Sequence, residues 1–242
     1  MQPGPGNVPA FTPGVNKSRD FIKPQFALQI HHNIAHLPVF NNAVITIGTF
    51  DGVHTGHKHI INQLKDEARQ ISGETVIITF HPHPRKIVGH LHTVQLLNTL
   101  EEKTELLAKE GIDHLVVIPF DEAFATQSAE AYIRDFLVQR IHPHTIIIGY
   151  DHRFGKNREG DYRMLEKFGV ELGFIVKEIS EKVLDEVTVS STRIRNALRE
   201  GAVEQANALL GYNYFFEGRV VEGNKLGRTI GYPTANIETR NP

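Results

Sequence analysis

The chain has 242 residues, enough for one good-sized domain and a smaller piece, because domains commonly contain about 100–200 residues. Its formal net charge of -2 does not favour a nucleic-acid-binding protein, which usually carries a strongly basic face. The sequence contains no cysteine, which excludes disulfides, thiolate catalysis and thiolate metal sites.

Residues 1–24 are rich in proline and glycine and poor in packing groups, which predicts a flexible N-terminal extension. This segment lacks the charged-then-apolar layout of a signal peptide. No apolar run in the chain reaches the length of about 18 residues that a transmembrane helix needs. We therefore expect a cytoplasmic protein with no membrane partner.

Residues 25–211 alternate between short β-branched runs and longer amphipathic runs. The short runs predict strands at 44–47, 75–79, 114–118, 145–148 and 174–178. The longer runs predict helices at 57–70, 99–109, 128–139 and 162–168. This alternation predicts an α/β fold with a doubly wound, Rossmann-like parallel sheet, in which ligands bind beyond the carboxyl ends of the strands.

The first predicted strand breaks into the turn GTFDGVHTGH at 48–57, which leads into a helix. A glycine-rich turn at such a junction presents backbone N–H groups to phosphate. His54 and His57 are three residues apart, so both rings project from one face of the first helical turn and can donate hydrogen bonds to a triphosphate. Gly56 lets a ligand approach the backbone between them. The turn therefore indicates nucleotide chemistry, the alternative being a helix start with two solvent-facing histidines.

The second predicted strand is followed by the stiff loop FHPHP at 80–84, in which proline cannot continue the sheet. This loop can aim His83 inward, the alternative being a rigid surface loop. No carboxylate lies beside its histidines at the spacing of metal ligands, so we do not expect them to form a metal site.

A third candidate site is the helix start SSTRIR at 190–195. Its hydroxyl residues Ser190, Ser191 and Thr192 are good helix N-caps. Arg195 follows Ser191 by four residues and lies on the same face, next to the free N–H groups of the helix start. Together the hydroxyls, the N–H groups and the guanidinium can hold an anion.

Residues 212–242 carry short β-rich runs separated by glycine turns, which indicates the first strands of a small β-barrel. About thirty residues cannot close a barrel or bury a core of their own. We therefore expect an incomplete barrel whose exposed strand edges favour association.

As an ordered set, the motifs GTFDGVHTGH, TFHPHP, GYDHRFG and VSSTRIR resemble the prokaryotic bifunctional riboflavin kinase/FAD synthetase family over about residues 26–238. The resemblance implies a nucleotidyltransferase domain at 25–211 that joins FMN to the AMP part of ATP, giving FAD and pyrophosphate. Residues 212–242 resemble the opening of the riboflavin kinase domain, without a counterpart of its catalytic glutamate. We therefore expect this chain to adenylylate FMN but not to phosphorylate riboflavin.

The resemblance also implies roles for individual residues. The expected catalytic residues, which contact or clamp the ATP phosphates, are His54, His57 and Arg195. The expected nucleotide-binding residues are Gly48, Thr49, Phe50, Asp51, Gly56, His83, Asp151, Phe154, Ser190, Ser191 and Thr192. In the kinase-like segment the residues expected to bind magnesium-ATP are Thr234 and Asn236. Mg²⁺ is expected to arrive with ATP, without a cage of protein side chains.

Two further interpretations remain open. The His-x-Gly-His element also occurs in class I aminoacyl-tRNA synthetases, but the chain has neither a second, lysine-rich signature loop nor a basic surface for tRNA. It occurs as well in adenylyltransferases that act on other phosphorylated cofactor precursors, such as pantetheine or nicotinate compounds. A non-catalytic nucleotide- or flavin-binding protein would carry the same phosphate-binding elements. The sequence does not predict the oligomeric state.

Overall fold

The computed structural model of the chain describes residues 28–88, 95–179, 189–224, 226–232 and 234–239. The N-terminal extension expected at 1–24 lies outside the described residues.

The main body is a six-stranded sheet in which every neighbouring pair of strands is parallel. Its strands are β1 (Gln29–His31), β2 (Val44–Ile47), β3 (Thr75–His81), β4 (His114–Pro119), β5 (Thr145–Gly149) and β6 (Ile175–Ile179). They lie in the order β1-β4-β3-β2-β5-β6. The predicted α/β fold with a parallel sheet is confirmed. Strand β1 was not predicted, because its three residues are partly exposed and lack an apolar run.

Helices connect the strands, with bounds that differ from the predicted ones mainly at their ends. They are α1 (Thr55–Ile71), α2 (Pro84–Val88), α3 (Leu100–Lys109), α4 (Glu122–Ala125), α5 (Ala129–Ala131, continued by a π-helix at Tyr132–Ile141), α6 (Tyr162–Leu172), α7 (Ser191–Arg199), α8 (Val203–Leu210) and α9 (Leu226–Thr229). Short 3₁₀ turns occur at Ile34–His36 and Lys156–Arg158.

Helix α6 shows why one predicted boundary was wrong. The sequence predicted its end at Phe168, in front of a glycine, but the helix continues to Leu172 and ends at Gly173 in the left-handed conformation. Gly169 is required for packing instead, because a Cβ there would lie 2.6 Å from the carbonyl oxygen of Phe174. This glycine allows the helix to pack closely against the chain that leads into β6.

The sheet is covered by two apolar layers, one on each face, and a third apolar cluster lies between α7 and α8. Successive residues of a strand point to opposite faces, so Ile45 and Ile47 of β2 belong to one layer and Val44 to the other. Helices α1 and α3 cover the face of Val44, whereas the π-helix and α6 cover the face of Ile45. Burial on both faces explains why the central strands are continuously apolar.

The order of the strands reverses at β2, which has β3 on one side and β5 on the other. Parallel sheets of this kind bind ligands in the crevice beyond the carboxyl ends of the strands at such a reversal. The turn at 48–54 leaves β2 at this point, and the loop that begins with Tyr150 leaves β5 beside it.

The C-terminal residues form a separate two-stranded antiparallel sheet of β7 (Gly218–Val221) and β8 (Asn236–Thr239). Most of its residues are exposed, and the sheet has no third strand among the described residues. The backbone N–H of Glu217, just before β7, donates a hydrogen bond to Glu102 Oε1 of α3 at 2.7 Å. This contact anchors the start of the hairpin to the main body.

Candidate active site

The turn between β2 and α1 has a strained backbone. Phe50 and Val53 have φ angles of 48° and 36°, in the left-handed region that β-branched and bulky residues rarely occupy, and Gly52 has a φ of 87°. Such conformations persist only where their surroundings fix them, and they cluster at functional sites. Here the Tyr212 hydroxyl donates a hydrogen bond of 2.6 Å to the carbonyl oxygen of Gly52. The turn is thus held rigidly at the strand reversal.

His54 and His57 form a stacked pair at the start of α1. Their ring centroids are 3.7 Å apart, with an interplanar angle of 17°. His54 is the N-cap residue, and its Nδ1 accepts a hydrogen bond from the backbone N–H of His57 at 3.3 Å. A neutral imidazole that accepts at Nδ1 carries its proton on Nε2, so His54 keeps one N–H donor for a ligand. The position of Gly56 is confined as well, because a Cβ there would lie 3.2 Å from the His54 ring.

Both imidazoles are held in the neutral form. Burial, followed by the positive charge of Arg195, lowers the pKa of His54 to about 4. Burial also lowers the pKa of His57 well below its ordinary value, with smaller effects from His54 and Lys103. The Nδ1 atom of His57 is buried and has no hydrogen-bond partner among the described residues. At neutral pH the pair can therefore act through N–H donors, not through positive charge.

Asp51 connects this turn to α7. Its buried carboxylate accepts hydrogen bonds from the backbone N–H of Leu97, at 2.9 Å, and from the Arg195 guanidinium. Arg195 also donates from Nε to the carbonyl oxygen of Gln95 at 2.6 Å. The Ser191 hydroxyl donates to the backbone carbonyl of Asp51 at 3.0 Å. The structure thus brings the two predicted motifs together and pairs the predicted phosphate-binding arginine with a carboxylate.

The hydroxyl residues at the start of α7 have different surroundings. Ser190 is the N-cap, and its hydroxyl accepts a hydrogen bond from the backbone N–H of Arg193 at 3.3 Å. Ser191 contacts Asp51 as described, whereas Thr192 is exposed. The carbonyl oxygen of Val189 is 3.7 Å from where a Cβ on Gly56 would lie. The N-termini of α1 and α7 therefore lie beside each other.

His83 is buried after β3, with its Nδ1 accepting a hydrogen bond from the backbone N–H of Arg85 at 3.1 Å. Burial lowers its pKa to about 4, the nearby Asp51 charge acts in the opposite direction, and Lys103 and Arg195 lower the pKa further. These electrostatic effects place His83 in the same charge cluster as the turn. The expected inward direction of this side chain agrees with its burial, and the preceding histidine, His81, is exposed.

The loop after β5 has a different role in the packing. Asp151 is exposed, whereas Phe154 is buried and stacks on Tyr132 with centroids 5.1 Å apart. Among the described residues, the ring contacts of Phe154 are with Tyr132 and His152 and not with the histidine pair. The structure therefore gives no contact between either predicted residue of this loop and the histidine pair among the described residues.

Sequence reasoning missed an aromatic cluster next to this loop. Its rings contact one another and lie at the carboxyl ends of β3 and β4, on α4, on the π-helix and in the loop after β5: Phe80, Phe120, Phe124, Tyr132, Phe136 and Phe154. The buried Tyr132 hydroxyl and His152 Nε2 beside these rings have no hydrogen-bond partner among the described residues. The available sequence signal was the recurrence of phenylalanine at the carboxyl ends of two strands, within β3 at Phe80 and directly after β4 at Phe120.

Sequence reasoning also missed Lys103. Its buried ammonium donates a hydrogen bond of 2.7 Å to the carbonyl oxygen of Thr49 in the turn. Thr79 Oγ1 donates to the same carbonyl at 3.2 Å. The available signal was a lysine three and four residues before Leu106 and Leu107, on the apolar face of the predicted helix.

Thr234 and Asn236, expected to bind magnesium-ATP in the kinase-like segment, are exposed. Each packs beside a glycine: a Cβ on Gly227 would lie 3.2 Å from Thr234 Oγ1, and one on Gly223 would lie 2.2 Å from Asn236 Nδ2. Within the described ranges, no group of three or more histidine or carboxylate side chains is arranged to hold a metal ion. No helix in these ranges is long and apolar enough to cross a membrane.

Comparison with known protein families shows to which family the chain belongs. A family model described as FAD synthetase matches residues 37–193. The chain belongs to the FAD synthetase family. A second family model, described as riboflavin kinase, matches residues 210–242.

Named relatives of this FAD synthetase-family chain agree with that assignment. The chain is 38% identical over 209 residues to the bifunctional riboflavin kinase/FMN adenylyltransferase of Escherichia coli K12, covering 86% of this chain and 66% of that protein. It is 40% identical over 197 residues to the protein of the same name from Listeria monocytogenes, covering 81% and 62% of the two chains. The chain thus spans about two thirds of the length of the curated relatives it matches.

A solved structure supports the fold of the FAD synthetase-family chain. It is the crystal structure of a protein from Streptococcus pneumoniae titled as a macrolide-efflux protein, with a TM-score of 0.75 and 28% sequence identity. The match covers 88% of this chain and 69% of that one.

Proposed function

We propose that this chain transfers AMP from ATP to FMN, giving FAD and pyrophosphate. The observation that carries the proposal is the meeting of the α1 and α7 N-termini around the stacked His54 and His57 rings, joined by the Ser191 contact to Asp51. A helix N-terminus presents unpaired backbone N–H groups and a partial positive charge, and both favour phosphate. Two such termini beside one strand reversal match the extended anionic chain of a nucleoside triphosphate.

The triphosphate would be bound through hydrogen bonds more than through free cations. His54 offers its Nε2–H, and the backbone N–H groups at the start of α1 lie beside it. Among the described residues, Arg195 uses two of its five N–H donors, one toward Asp51 and one toward Gln95. Its other donors would serve the phosphates, which compete with Asp51 for the guanidinium.

The reaction requires positioning and charge stabilisation. A phosphate oxygen of FMN attacks the α-phosphorus of ATP, the new P–O bond forms, and the bond to the β-phosphate breaks so that pyrophosphate leaves. A phosphate monoester has a second pKa of about 6, so the nucleophile is largely dianionic at neutral pH and needs no general base. N–H donors placed where negative charge develops lower the barrier. The neutral histidines and the helix termini fit that role.

Magnesium would accompany ATP. The ion prefers oxygen ligands and is commonly bound through substrate phosphates with one or two carboxylates. The acidic residue of the turn, Asp51, already binds Leu97 and Arg195, so the described residues fit an ion carried mainly by the phosphates. When bound, Mg²⁺ supplies neutralisation of phosphate charge.

The aromatic cluster favours FMN over the other acceptors. Phe80, Phe120 and Phe124 are only partly buried, so their rings remain accessible to a ligand. A flat isoalloxazine packs well on such rings. The unpartnered Tyr132 hydroxyl and His152 Nε2 would meet its polar groups. Pantetheine and nicotinate compounds have little or no comparable aromatic surface.

The proposed substrates also indicate where the protein acts and which partners it needs. We propose a cytoplasmic location, because ATP and FMN are the substrates. A chain of net charge -2 that acts on small molecules needs neither a nucleic-acid nor a membrane partner.

An acceptor panel tests the proposal. Pyrophosphate release from magnesium-ATP is measured with FMN, phosphopantetheine or nicotinamide mononucleotide. We expect pyrophosphate release with FMN and not with the other two acceptors. Pyrophosphate release with another acceptor and not with FMN would show that the other acceptor is the substrate. ATP binding without pyrophosphate release would favour a non-catalytic binding protein.

A further inference from the structure

Lys103 is a buried cation, and its contacts do not indicate that it stabilises the fold. Its side chain lies on the covered face of α3 beside Leu106 and Leu107, and the residue is 7% exposed. Lysine is almost never fully buried unless it is paired. In the described part of the chain, no carboxylate oxygen lies within 4.0 Å of its Nζ.

The energetics of this placement are unfavourable. Burial lowers the pKa of Lys103 to about 8, an effect that the nearby Asp51 charge opposes. An ammonium group has three donors, and its recorded bond goes to one neutral carbonyl, that of Thr49. Removing a charge from water without an ion-pair partner destabilises a fold. A lysine buried at such a position indicates a role other than stability.

The bonded carbonyl lies at a sensitive point of the turn. Thr49 immediately precedes Phe50, the first residue of the turn with a left-handed φ, and Val53 is the last. Because a peptide unit is planar, fixing the Thr49 carbonyl also fixes the direction of the Phe50 N–H. Without the ammonium, this carbonyl would keep, among the described contacts, only the longer hydrogen bond from Thr79 Oγ1, at 3.2 Å, and the strained backbone would gain other conformations.

Helix α3 offers a rigid support for the lysine. Its first turn is closed by a capping box, in which Thr99 Oγ1 accepts from the Glu102 N–H at 3.1 Å and Glu102 Oε2 accepts from the Thr99 N–H at 2.8 Å. The other oxygen of Glu102 accepts from the Glu217 N–H. The ammonium is therefore delivered to the turn from a fixed helix end.

We propose that Lys103 is a positioning residue: its ammonium holds the Thr49 carbonyl and thereby keeps the strained turn in the conformation that presents its N–H groups and His54 to the nucleotide. Only the effect on catalysis rests on the proposed function. The effect on the turn itself is a property of the ligand-free protein.

The test replaces Lys103 by methionine, which keeps the unbranched chain and removes the charge and the donor. The matched control is Lys65→Met, because Lys65 Nζ also donates to a backbone carbonyl, that of Glu110, at 2.7 Å but from a partly buried position on α1. Hydrogen exchange of residues 48–54 is measured by mass spectrometry without ligand, together with the thermal midpoint. Lys103→Met should exchange at least tenfold faster in this peptide, without a lower midpoint, while Lys65→Met leaves the peptide unchanged.

FAD formation gives the second readout. In Lys103→Met, kcat should fall at least tenfold, and Lys65→Met should stay within twofold of the original chain. Exchange at 48–54 within twofold of the original chain, or an equal increase in Lys65→Met, would overturn the proposal. If the methionine variant does not fold, Lys103→Leu repeats the comparison. If the original chain makes no FAD and Lys103→Met still shows the faster exchange, the proposed function is refuted and the positioning role is supported.

Discussion

The hydroxyl of Ser191 donates a hydrogen bond to the carbonyl oxygen of Asp51 at 3.0 Å, although 140 residues separate the two in sequence. One helical turn later, Arg195 binds the carboxylate of the same aspartate. The turn after β2 and the start of α7 are thus one structural unit. A substitution in the turn or at the start of α7 should therefore alter how both segments bind ATP.

We expect His57→Ala to lower turnover by about 10²–10³-fold, the size of effect seen when one charge-stabilising donor is removed. His57 stacks on His54 at the helix start and lies close to where phosphate charge would develop. The measurement is the steady-state rate of FAD formation. His59→Ala is the control, since that side chain interacts with Gln63 on the same helix, and it should retain near-normal turnover. A His57→Ala rate within twofold of the original chain would remove His57 from the mechanism.

Arg195→Ala should weaken ATP binding and turnover together, and it should also destabilise the fold. The change leaves the buried Asp51 carboxylate without its ionic partner, a loss that typically costs about 3–5 kcal/mol. Calorimetric titration with ATP and denaturant unfolding measure the two effects. The control is Arg199→Ala on the same helix, because the hydrogen bonds of Arg199 among the described contacts go only to the Gln95 side-chain oxygen. This variant should change neither ATP binding nor stability strongly. An unaltered response to ATP concentration in Arg195→Ala would count against a phosphate-binding arginine.

Stability should decrease as the pH falls from about 6.5 to 4. Burial lowers the pKa values of His54, His83 and His152 to about 4, compared with 6.5 for an ordinary histidine. Between these values the unfolded chain binds protons that the folded chain does not, so the free energy of unfolding rises with pH in this window. Each such group contributes a slope of up to about 1.4 kcal/mol per pH unit.

A histidine variant isolates one of these contributions. Denaturant unfolding of His54→Gln between pH 4 and 7 should show a slope against pH that is smaller by about 1 kcal/mol per unit than in the original chain. His36→Gln, the same substitution at an exposed position, is the control. Identical slopes in His54→Gln and the original chain would show that His54 is not buried in its neutral form.

Riboflavin should not be phosphorylated by this chain. The residues expected to bind magnesium-ATP, Thr234 and Asn236, are exposed on or beside a two-stranded hairpin, and β8 is exposed at every position. Two strands alone are marginally stable and enclose no substrate. Chromatography after incubation with riboflavin and magnesium-ATP should show no FMN, while the same preparation converts FMN into FAD. An FMN peak would contradict this prediction.

The alternation of strands and helices predicted the main sheet, because continuous β-branched runs are typical of strands buried on both faces. The edge strand β1 escaped prediction, since an exposed three-residue strand has no apolar pattern and is defined by pairing with β4. The end of α6 was wrongly predicted at Phe168, before Gly169, because a glycine that allows close packing looks the same in sequence as one that ends a helix.

The site was predictable where its residues are adjacent in sequence and not where they meet through the fold. The spacing of His54 and His57 on one helical face follows from the helical period. The partner of Arg195 does not, because Asp51 reaches it only through the packing of α7 against the turn. Lys103 was missed for the same reason: its position marks it as buried, but only the structure shows that its ammonium meets the Thr49 carbonyl.

The proposed AMP transfer is tested most directly by following the α-phosphorus atom of ATP. The purified chain is incubated with FMN, Mg²⁺ and ATP labelled with ³²P at the α-phosphate, and the flavins are separated by chromatography. We expect label in FAD, in amounts equal to the pyrophosphate released and dependent on FMN. Bound ATP and FMN with no labelled FAD would contradict it.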